Sequence, residues 1–426
     1  MALESHAQAT EDVLHESLSF KLRPSASYVI DRKFVTFWPQ GASEYKVTGG
    51  VKVIKINVNG SDWLDPSSLK LHFIVKNDHT STALVPYVFG IHNWFRRLRI
   101  IIGGQVVEDI DNYNRVVQMF TMMMDKEKQK NDSNESWGGT SDLTATPLAL
   151  AHEQEIICVG SLFSGIFNQD KYLPVKYCPI TIELELVNNH ADSARSTGSQ
   201  QWSIHDVQLK CDMVTLDSQL DNSYAEHLLS GKSIPISYTS YTTSQQVCTG
   251  PTTNVNISRS LTRLKSIFVT LYKEKKNLTD PANPVPDLSL LNEVNRFWHP
   301  MEGTYDFAKE LQFELQLGSK KWPEYPMKSQ AEAFYQLRKT MGILGSAYHS
   351  LDITGPDFKN NKFIIGFDLE KMLGASFTGY NSKSGDLLTI KLKDVYGMTN
   401  AEDFIFTTLH YDALMEINDT GVTVME

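Results

Sequence analysis

Cysteine is scarce in this chain: four residues in 426, no two of them closer than twenty positions. That spacing excludes both a C-x₂-C zinc ribbon and a disulfide-stapled scaffold. Long apolar runs are also missing, since none approaches the 18 residues of a spanning helix. Basic charge is in deficit, with 40 lysines and arginines against 50 aspartates and glutamates and a formal net charge of −10. The deficit argues against broad electrostatic wrapping of nucleic acid or of an anionic membrane. The opening residues, MALESHAQATEDVLHES, lack the basic start and apolar stretch of a secretory signal, so the expectation is synthesis in a reducing intracellular compartment. The N-x-S/T sequons at Asn59, Asn131, Asn134, Asn256, Asn277 and Asn418 then read as exposed polar turns.

Catalytic motifs are equally sparse. No H-x-H of the cupin type occurs among the 12 histidines. The H-x-D spacing of an iron oxygenase occurs at His410–Asp412, with no later histidine, and at His190–Asp192, which falls in a loop. His152-Glu153 lacks the second histidine of H-E-x-x-H, and Gly231-Lys232-Ser233 ends like a phosphate-binding loop but has Glu226 where the first glycine belongs. Glu183 and Glu185 share one face of a strand about 6.5 to 7 Å apart, near the separation used by inverting glycosidases. Plain solvation of a wet strand face is the favoured account of them, with a β-sandwich glycosidase as the rival. Trp38, Trp137, Trp202 and Trp322 could stack on a sugar if exposed, which keeps a lectin-like module in view. Arg96, Arg97 and Arg99 are expected to be solvated at a strand edge or paired with acidic neighbours rather than facing a genome or membrane.

What is present is period-two alternation. Leu69, Leu71, Phe73 and Val75 alternate with polar residues, as do Ile180, Ile182, Leu184 and Leu186, and Leu311, Phe313, Leu315 and Leu317. Each set marks a strand with one buried and one wet face. Further strands read at 51–58, 97–102, 208–216, 255–257, 265–271, 363–368, 386–393 and 404–409, the first with a phase slip between Val53 and Ile54 that suggests a β-bulge. Helical spacing is confined to three segments: 112–130, where Tyr113, Val116, Val117, Phe120 and Met123 align; Leu220, Tyr224 and Leu228; and Ala331, Phe334, Leu337 and Met341. Met119, Met122, Met123 and Met124 read as a stripe packed on a sheet and not as a cofactor pocket. Glu108 and Asp109 are expected to offset the positive end of the 112–130 helix, and Ser329 with Glu332 to form a capping box. Polar stretches at 131–147, 188–201 and 275–287 are long enough to imply contact-making loops.

The chain is also duplicated. Residues 100–120, IIIGGQVVEDIDNYNRVVQMF, read as strand, glycine turn, short strand and amphipathic helix, and 315–337, LQLGSKKWPEYPMKSQAEAFYQL, read the same way. Gly103 and Gly318 stand 215 positions apart; a later pair, 178–187 and 385–394, gives 207. Two copies make a tandem of domains and not a solenoid. Hydrophobic residues at 41% and charged residues at 21% fit globular halves. Some eight short strands per half, without a helix between each pair, point to two-sheet sandwiches of jelly-roll type. The fold class is therefore all-β: two tandem eight-stranded antiparallel jelly-roll sandwiches with a few short helices in the loops. A segment 1–25 precedes the first jelly roll (26–217), a linker helix spans 218–231, and the second jelly roll covers 232–426.

Several strings, in this order, resemble the double jelly-roll major capsid proteins of tailless icosahedral double-stranded DNA viruses, of polinton-like virus and virophage type. They are Phe37-Trp38-Pro39-Gln40, Asp62-Trp63-Leu64-Asp65-Pro66, Phe95-Arg96-Arg97-Leu98, Gly103-Gly104 with Val107-Glu108-Asp109 and Tyr113-Asn114-Arg115, Pro323-Glu324-Tyr325-Pro326, the helix beginning Ala331-Glu332-Ala333-Phe334, and Leu409-His410-Tyr411-Asp412. The resemblance implies a structural protein of the virion, made inside the host cell, with no catalytic, cofactor-binding or metal-binding residues. It implies a homotrimeric, pseudo-hexagonal capsomer that contacts neighbouring capsomers, penton and minor capsid proteins. An internal membrane or a host-surface glycan is left open as a partner, and sequence-specific nucleic acid binding is not expected.

Overall fold

The computed structural model describes residues 28–86, 90–132, 134–135, 149–194, 198–248, 250–272, 311–343, 351–355, 358, 362–372, 378–383, 387–395 and 404–426. The 1–25 segment, Trp137, Asn277, the 275–287 stretch and most of 131–147 lie outside them.

The first half supplies β1 (Val29–Phe37), β2 (Glu44–Lys46), β3 (Val53–Val58), β4 (Trp63–Asn77), β5 (Phe95–Ile102), β6 (Gln105–Ile110), β7 (Glu155–Gly160), β8 (Ile180–Leu186) and β9 (Trp202–Leu216), with helices α1 (Tyr113–Met123) and α2 (Lys126–Asp132). Helix α3 (Ser218–Leu229) leads to β10 (Ile234–Val247), β11 (Thr252–Ile257), β12 (Leu264–Tyr272), β13 (Gln312–Leu317), β14 (Lys320–Met327), helix α4 (Gln330–Thr340), β15 (Ile364–Asp368), β16 (Leu388–Lys393), β17 (Phe404–Asn418) and β18 (Gly421–Met425). The first half forms two sheets, β1-β9-β4-β7 with β2 added on β9, and β3-β8-β5-β6. The second forms β10-β17-β12-β15 with β18 added on β17, and β11-β16-β13-β14. Replacing β1 by β10 and β3 to β9 by β11 to β17 converts one pair of orders into the other, so the duplication seen in the sequence is a duplication of topology.

Alternation explains how each sandwich closes. Leu69, Leu71, Phe73 and Val75 on β4, and Ile180, Ile182, Leu184 and Leu186 on β8, are buried between the sheets of the first half; Ile267, Val269 and Leu271 on β12 and Ile390 and Leu392 on β16 do the same in the second. Gly103 and Gly318 carry the same φ of 57° in the β5–β6 and β13–β14 turns, a left-handed conformation that glycine adopts without a Cβ clash. Register refines the second repeat offset. Ile102 pairs with Ile180 and Leu317 with Leu388, so β8 and β16 are related by 208 positions, not 207. The difference matters because a one-residue slip would place buried Ile180 opposite Leu387, which is 56% exposed.

Three local expectations are corrected. No bulge interrupts β3: Val53 to Val58 pair with Glu185 to Ile180 without a shift, and Val51 and Val53 lie on the exposed face while Ile54, Ile56 and Val58 lie inside. The 112–130 helix is two helices. Met124 is extended (ψ 158°), Asp125 Oδ1 accepts the Glu127 N–H at 2.8 Å, and Gln129 Nε2 donates to the Thr121 and Met124 carbonyls, so the chain caps one helix and starts another. Asn256 sits within β11, not in a turn, and its amide oxygen accepts from Thr389 Oγ1. The capping box of α4 forms in modified shape: Ser329 Oγ accepts the Glu332 N–H at 3.0 Å, and Glu332 Oε2 accepts the N–H of Lys328, one residue before the cap.

Helix α3 packs on the first half. Asp217 caps it through the Gln219 N–H, Gly231 (φ 77°) ends it, Tyr224 packs on Trp63 at 4.8 Å, and Asp221 pairs with Lys176 at 2.6 Å. The Asp65-Pro66 string has a local purpose as well. Asp65 accepts from Ser67 and Arg32, while Ser68 Oγ accepts the Asp212 N–H, holding the irregular β4–β9 register between Asp65 and Lys70.

Candidate functional site

The sequence candidates for acid–base chemistry resolve into a row of ion pairs. Across the outer face of β3-β8-β5-β6, Lys55 Nζ lies 3.3 Å from Glu183, Glu183 lies 3.4 Å from Arg99 Nη1, and Arg97 forms a fork with Asp109 at 2.6 and 2.7 Å. Glu185 is 3.6 Å from Arg96 Nη1, which also faces Asp111. Every arginine of the cluster thus meets a carboxylate. The second half carries the same cross-strand pair with its signs exchanged: Arg99 opposite Glu183 becomes Glu314 opposite Lys391, the buried Glu314 also meeting Lys321 at 3.3 Å. A pair that keeps its place and reverses its charges is what a cross-strand contact supporting the sheet requires. Glu183→Gln is therefore expected to lower stability by about 1 kcal/mol or less, as read by thermal unfolding.

The remaining candidates do not converge. His410 stacks on Tyr241 (5.0 Å, 9° between planes) with Ser266 Oγ 2.8 Å from its Nδ1, while Asp412 accepts from Thr239 Oγ1 and faces Lys265. Burial, aided by Lys265, lowers the His410 pKa to about 3, so it stays neutral. His190 packs against Trp202 in a short turn, and Asp192 accepts the Asn189 N–H. Among the described residues no three His, Cys, Asp or Glu side chains are grouped to hold a metal ion. All four cysteines are buried, and burial raises Cys178 and Cys211 to about 12. Of the tryptophans proposed for sugar stacking, Trp202 is fully buried, Trp322 packs on Tyr380, and Trp38 is 63% exposed.

Glu108 and Asp109 do not serve the α1 end, whose first turn holds no acid. Asp109 belongs to the arginine row. Glu108 is buried and accepts from Ser164 Oγ and from the Gly165 and Ile166 N–H groups, at 3.1 and 3.4 Å for the latter two. Burial raises its pKa against those hydrogen bonds. The carboxylate thereby holds the loop that meets the second half.

That meeting place is the most elaborate feature of the molecule. Phe120 of α1 packs against Tyr241 (5.1 Å), Phe268 (5.4 Å) and its own neighbour Phe163 (5.3 Å), with Phe163 4.9 Å from Tyr241. The Arg115 guanidinium covers the Tyr272 ring at 4.4 Å, and Tyr238 Oη donates to the Val107 carbonyl at 2.8 Å. Gly165 lies so close to β10 that an added Cβ would fall 1.4 Å from the Thr239 carbonyl oxygen. A cleft of about 880 Å³ runs along the seam, between His92, Thr121 and Gln169 on one side and Ser237 and Tyr238 on the other.

No sequence-family model and no curated protein matches this chain. Solved structures do. A chain of the PBCV-1 virus capsid superposes with a TM-score of 0.63 at 11% identity, covering 96% of this chain and 99% of that one. The chain folds as a double jelly roll. The Sputnik virophage, solved by cryo-EM, matches with a TM-score of 0.58 at 11% identity (97% and 92% covered), and the mavirus major capsid protein with 0.52 at 10% (98% and 92%). At such identities the likeness is one of fold, and it takes in both jelly rolls together. Sequence inspection missed the seam because aromatic residues on the polar face of a strand carry no periodic signal. The one available sign was a Tyr-rich strand at 238–241 that lacks clean alternation.

Proposed function

We propose that this double jelly roll is a structural, non-enzymatic shell protein: a major capsid protein whose trimers form pseudo-hexagonal capsomers of an icosahedral virion. The observation that carries the proposal is two-way coverage above 90% against proteins of the PBCV-1 capsid, Sputnik and mavirus. The shared region is the whole tandem, including the orientation of its halves, and not a sandwich that many unrelated proteins possess. The unit boundaries in this proposal are 26–217 for the first jelly roll, 218–231 for the linker and 232–426 for the second, preceded by a segment 1–25. Ion-paired Glu183 and Glu185 and the separated histidines support a chain without catalytic chemistry. Its partners are further copies of itself, within the capsomer and between capsomers, together with penton and minor capsid proteins.

The test is solution mass. A species of three times 48.1 kDa is expected by light scattering or native mass spectrometry. A single-copy species at all concentrations up to those of crystallisation would overturn the proposal.

A further inference from the structure

The seam cleft is lined mainly by the first half, and Ser237, Tyr238, Thr239 and Tyr241 of β10 close it from the second. Its volume of about 880 Å³ is that of a small-molecule site. Lys70, Lys128, Asp132 and Glu135 are the charged residues of the lining, and they neutralise one another: Lys70 lies 2.6 Å from Glu135 and Lys128 3.0 Å from Asp132. An ionic ligand would have to break one of these pairs, so the cleft suits an uncharged one. Donors of Gln129, Gln169 and Thr121 are already committed to main-chain carbonyls. Gln129 gives its N–H groups to Thr121 and Met124, Gln169 donates to Ile166, and Thr121 Oγ1 donates to Val117. What these side chains offer a ligand is oxygen that accepts. His92 adds to the set. It lines the cleft at 7% exposure, burial keeps its imidazole neutral, and its Nε2 has no hydrogen-bond partner among the described residues. Ile91, Val117, Phe163 and Phe167 supply apolar surface beside these acceptors.

We infer that the seam cleft binds an uncharged, hydroxyl-rich ligand with an apolar face, the chemistry of a neutral saccharide of about one to three rings. Its hydroxyls donate to the carboxamide oxygens of Gln129 and Gln169 and to His92 Nε2, its C–H face packs on the apolar lining, and the two ion pairs stay as they are. Ligands of other classes fit less well. An anion finds no cation in the lining without a carboxylate beside it, and a hydrocarbon would leave buried acceptors without donors, at the cost of their desolvation. A molecule in this cleft touches both jelly rolls, so its binding also fastens β10 to the first half. The site coincides with neither Trp38 nor Glu183 and Glu185, the residues that suggested sugar chemistry in the sequence. It belongs to a single chain and stands apart from the shell reading.

The test uses the full chain with lactose, maltotriose and triacetylchitotriose as neutral probes and sialyllactose as an anionic one, read by saturation-transfer NMR and by melting temperature. At least one neutral probe is expected to bind with a dissociation constant of about 10 mM or tighter and to raise the melting temperature. Amides of residues 117–121 and 161–169 are expected to exchange more slowly in its presence, and sialyllactose to bind no better than lactose. Ser161 is exposed and lines the cleft. Ser161→Trp therefore fills the cleft from its open side, and is expected to weaken binding at least about tenfold while the ligand-free protein melts as the parent does. Ser237→Trp, from the β10 side, serves should Ser161→Trp not fold. Absence of binding by all three neutral probes overturns the inference. So does undiminished binding by the filled variant, which would put the sugar elsewhere on the surface, and so does a preference for sialyllactose. Each of these outcomes leaves the shell reading in place, since that reading is decided by particle mass alone.

Discussion

Gly165→Ala is expected to destabilise the protein by about 4 kcal/mol or more and to loosen the two jelly rolls from each other. The reason is steric and not conformational. A methyl group at this position falls 1.4 Å from the Thr239 carbonyl oxygen and 2.6 Å from its carbonyl carbon, both backbone atoms that no rotamer change can move. Relief requires the 161–167 loop to withdraw from β10. Withdrawal pulls the Gly165 and Ile166 N–H groups off the buried Glu108 carboxylate and Phe163 off Tyr241. Overpacking costs about 1 to 3 kcal/mol by itself, and stripping donors from a buried acceptor adds about as much again. Thermal unfolding with limited proteolysis of the 218–231 connection reads both effects. An alanine variant within 1 kcal/mol of the parent would contradict the seam as described.

Acidification is expected to weaken the same seam through His410. Its ordinary pKa is 6.5 and its folded value about 3. A depressed folded value means that the unfolded chain takes up a proton that the folded chain refuses, so stability present above pH 6.5 is lost as pH falls. At about 1.4 kcal/mol per pH unit, descent from 6.5 to 4 removes about 3 kcal/mol. His92, lowered to about 4 by burial, acts in the same direction. Glu108 opposes them: its raised pKa contributes stability that is full below the ordinary carboxylate value and is lost as pH rises through the folded one. The histidine effect is isolated by comparison with His410→Gln, which keeps a polar partner for Ser266. The stability advantage of the parent over this variant is expected to shrink by about 3 kcal/mol between pH 7 and pH 4. An advantage that stays constant with pH would refute the assignment.

Strands with one wet and one dry face were legible in the sequence: β4, β8 and β13 alternate cleanly, and the repeat of β5 and β6 in β13 and β14 was visible from glycines 215 positions apart. Strands whose surroundings differ were not. β10, with the sequence IPISYTSYTTSQQV, has one face in its sandwich and part of the other against Phe120 and Gly165, so small polar and aromatic residues appear on both faces and the period is lost. β1 is exposed along most of its length and presents apolar residues to the outside. β7 and β18 are short additions at sheet edges. The arginine cluster was expected to be solvated at a strand edge or paired with acidic neighbours; it is paired, with carboxylates that the alternation of β6 and β8 places on the same face of the adjacent strands. The role of Glu108 was misassigned. Its position near a helix start suggested a dipole effect, whereas its partners come from a loop some 57 residues downstream, a proximity that only the folded chain reveals.

Each jelly roll is closed by its own ends: Val29 pairs with Leu216 across β1 and β9, and Ile234 with Ile417 across β10 and β17. With α3 anchored to Trp63 and Lys176, everything the first sandwich needs has been translated once residue 229 leaves the ribosome. The nascent second sandwich then emerges beside a finished template whose Phe120 and Phe163 await it. Vectorial synthesis of this kind separates in time two units of like topology, whose strands would otherwise compete for one another's partners.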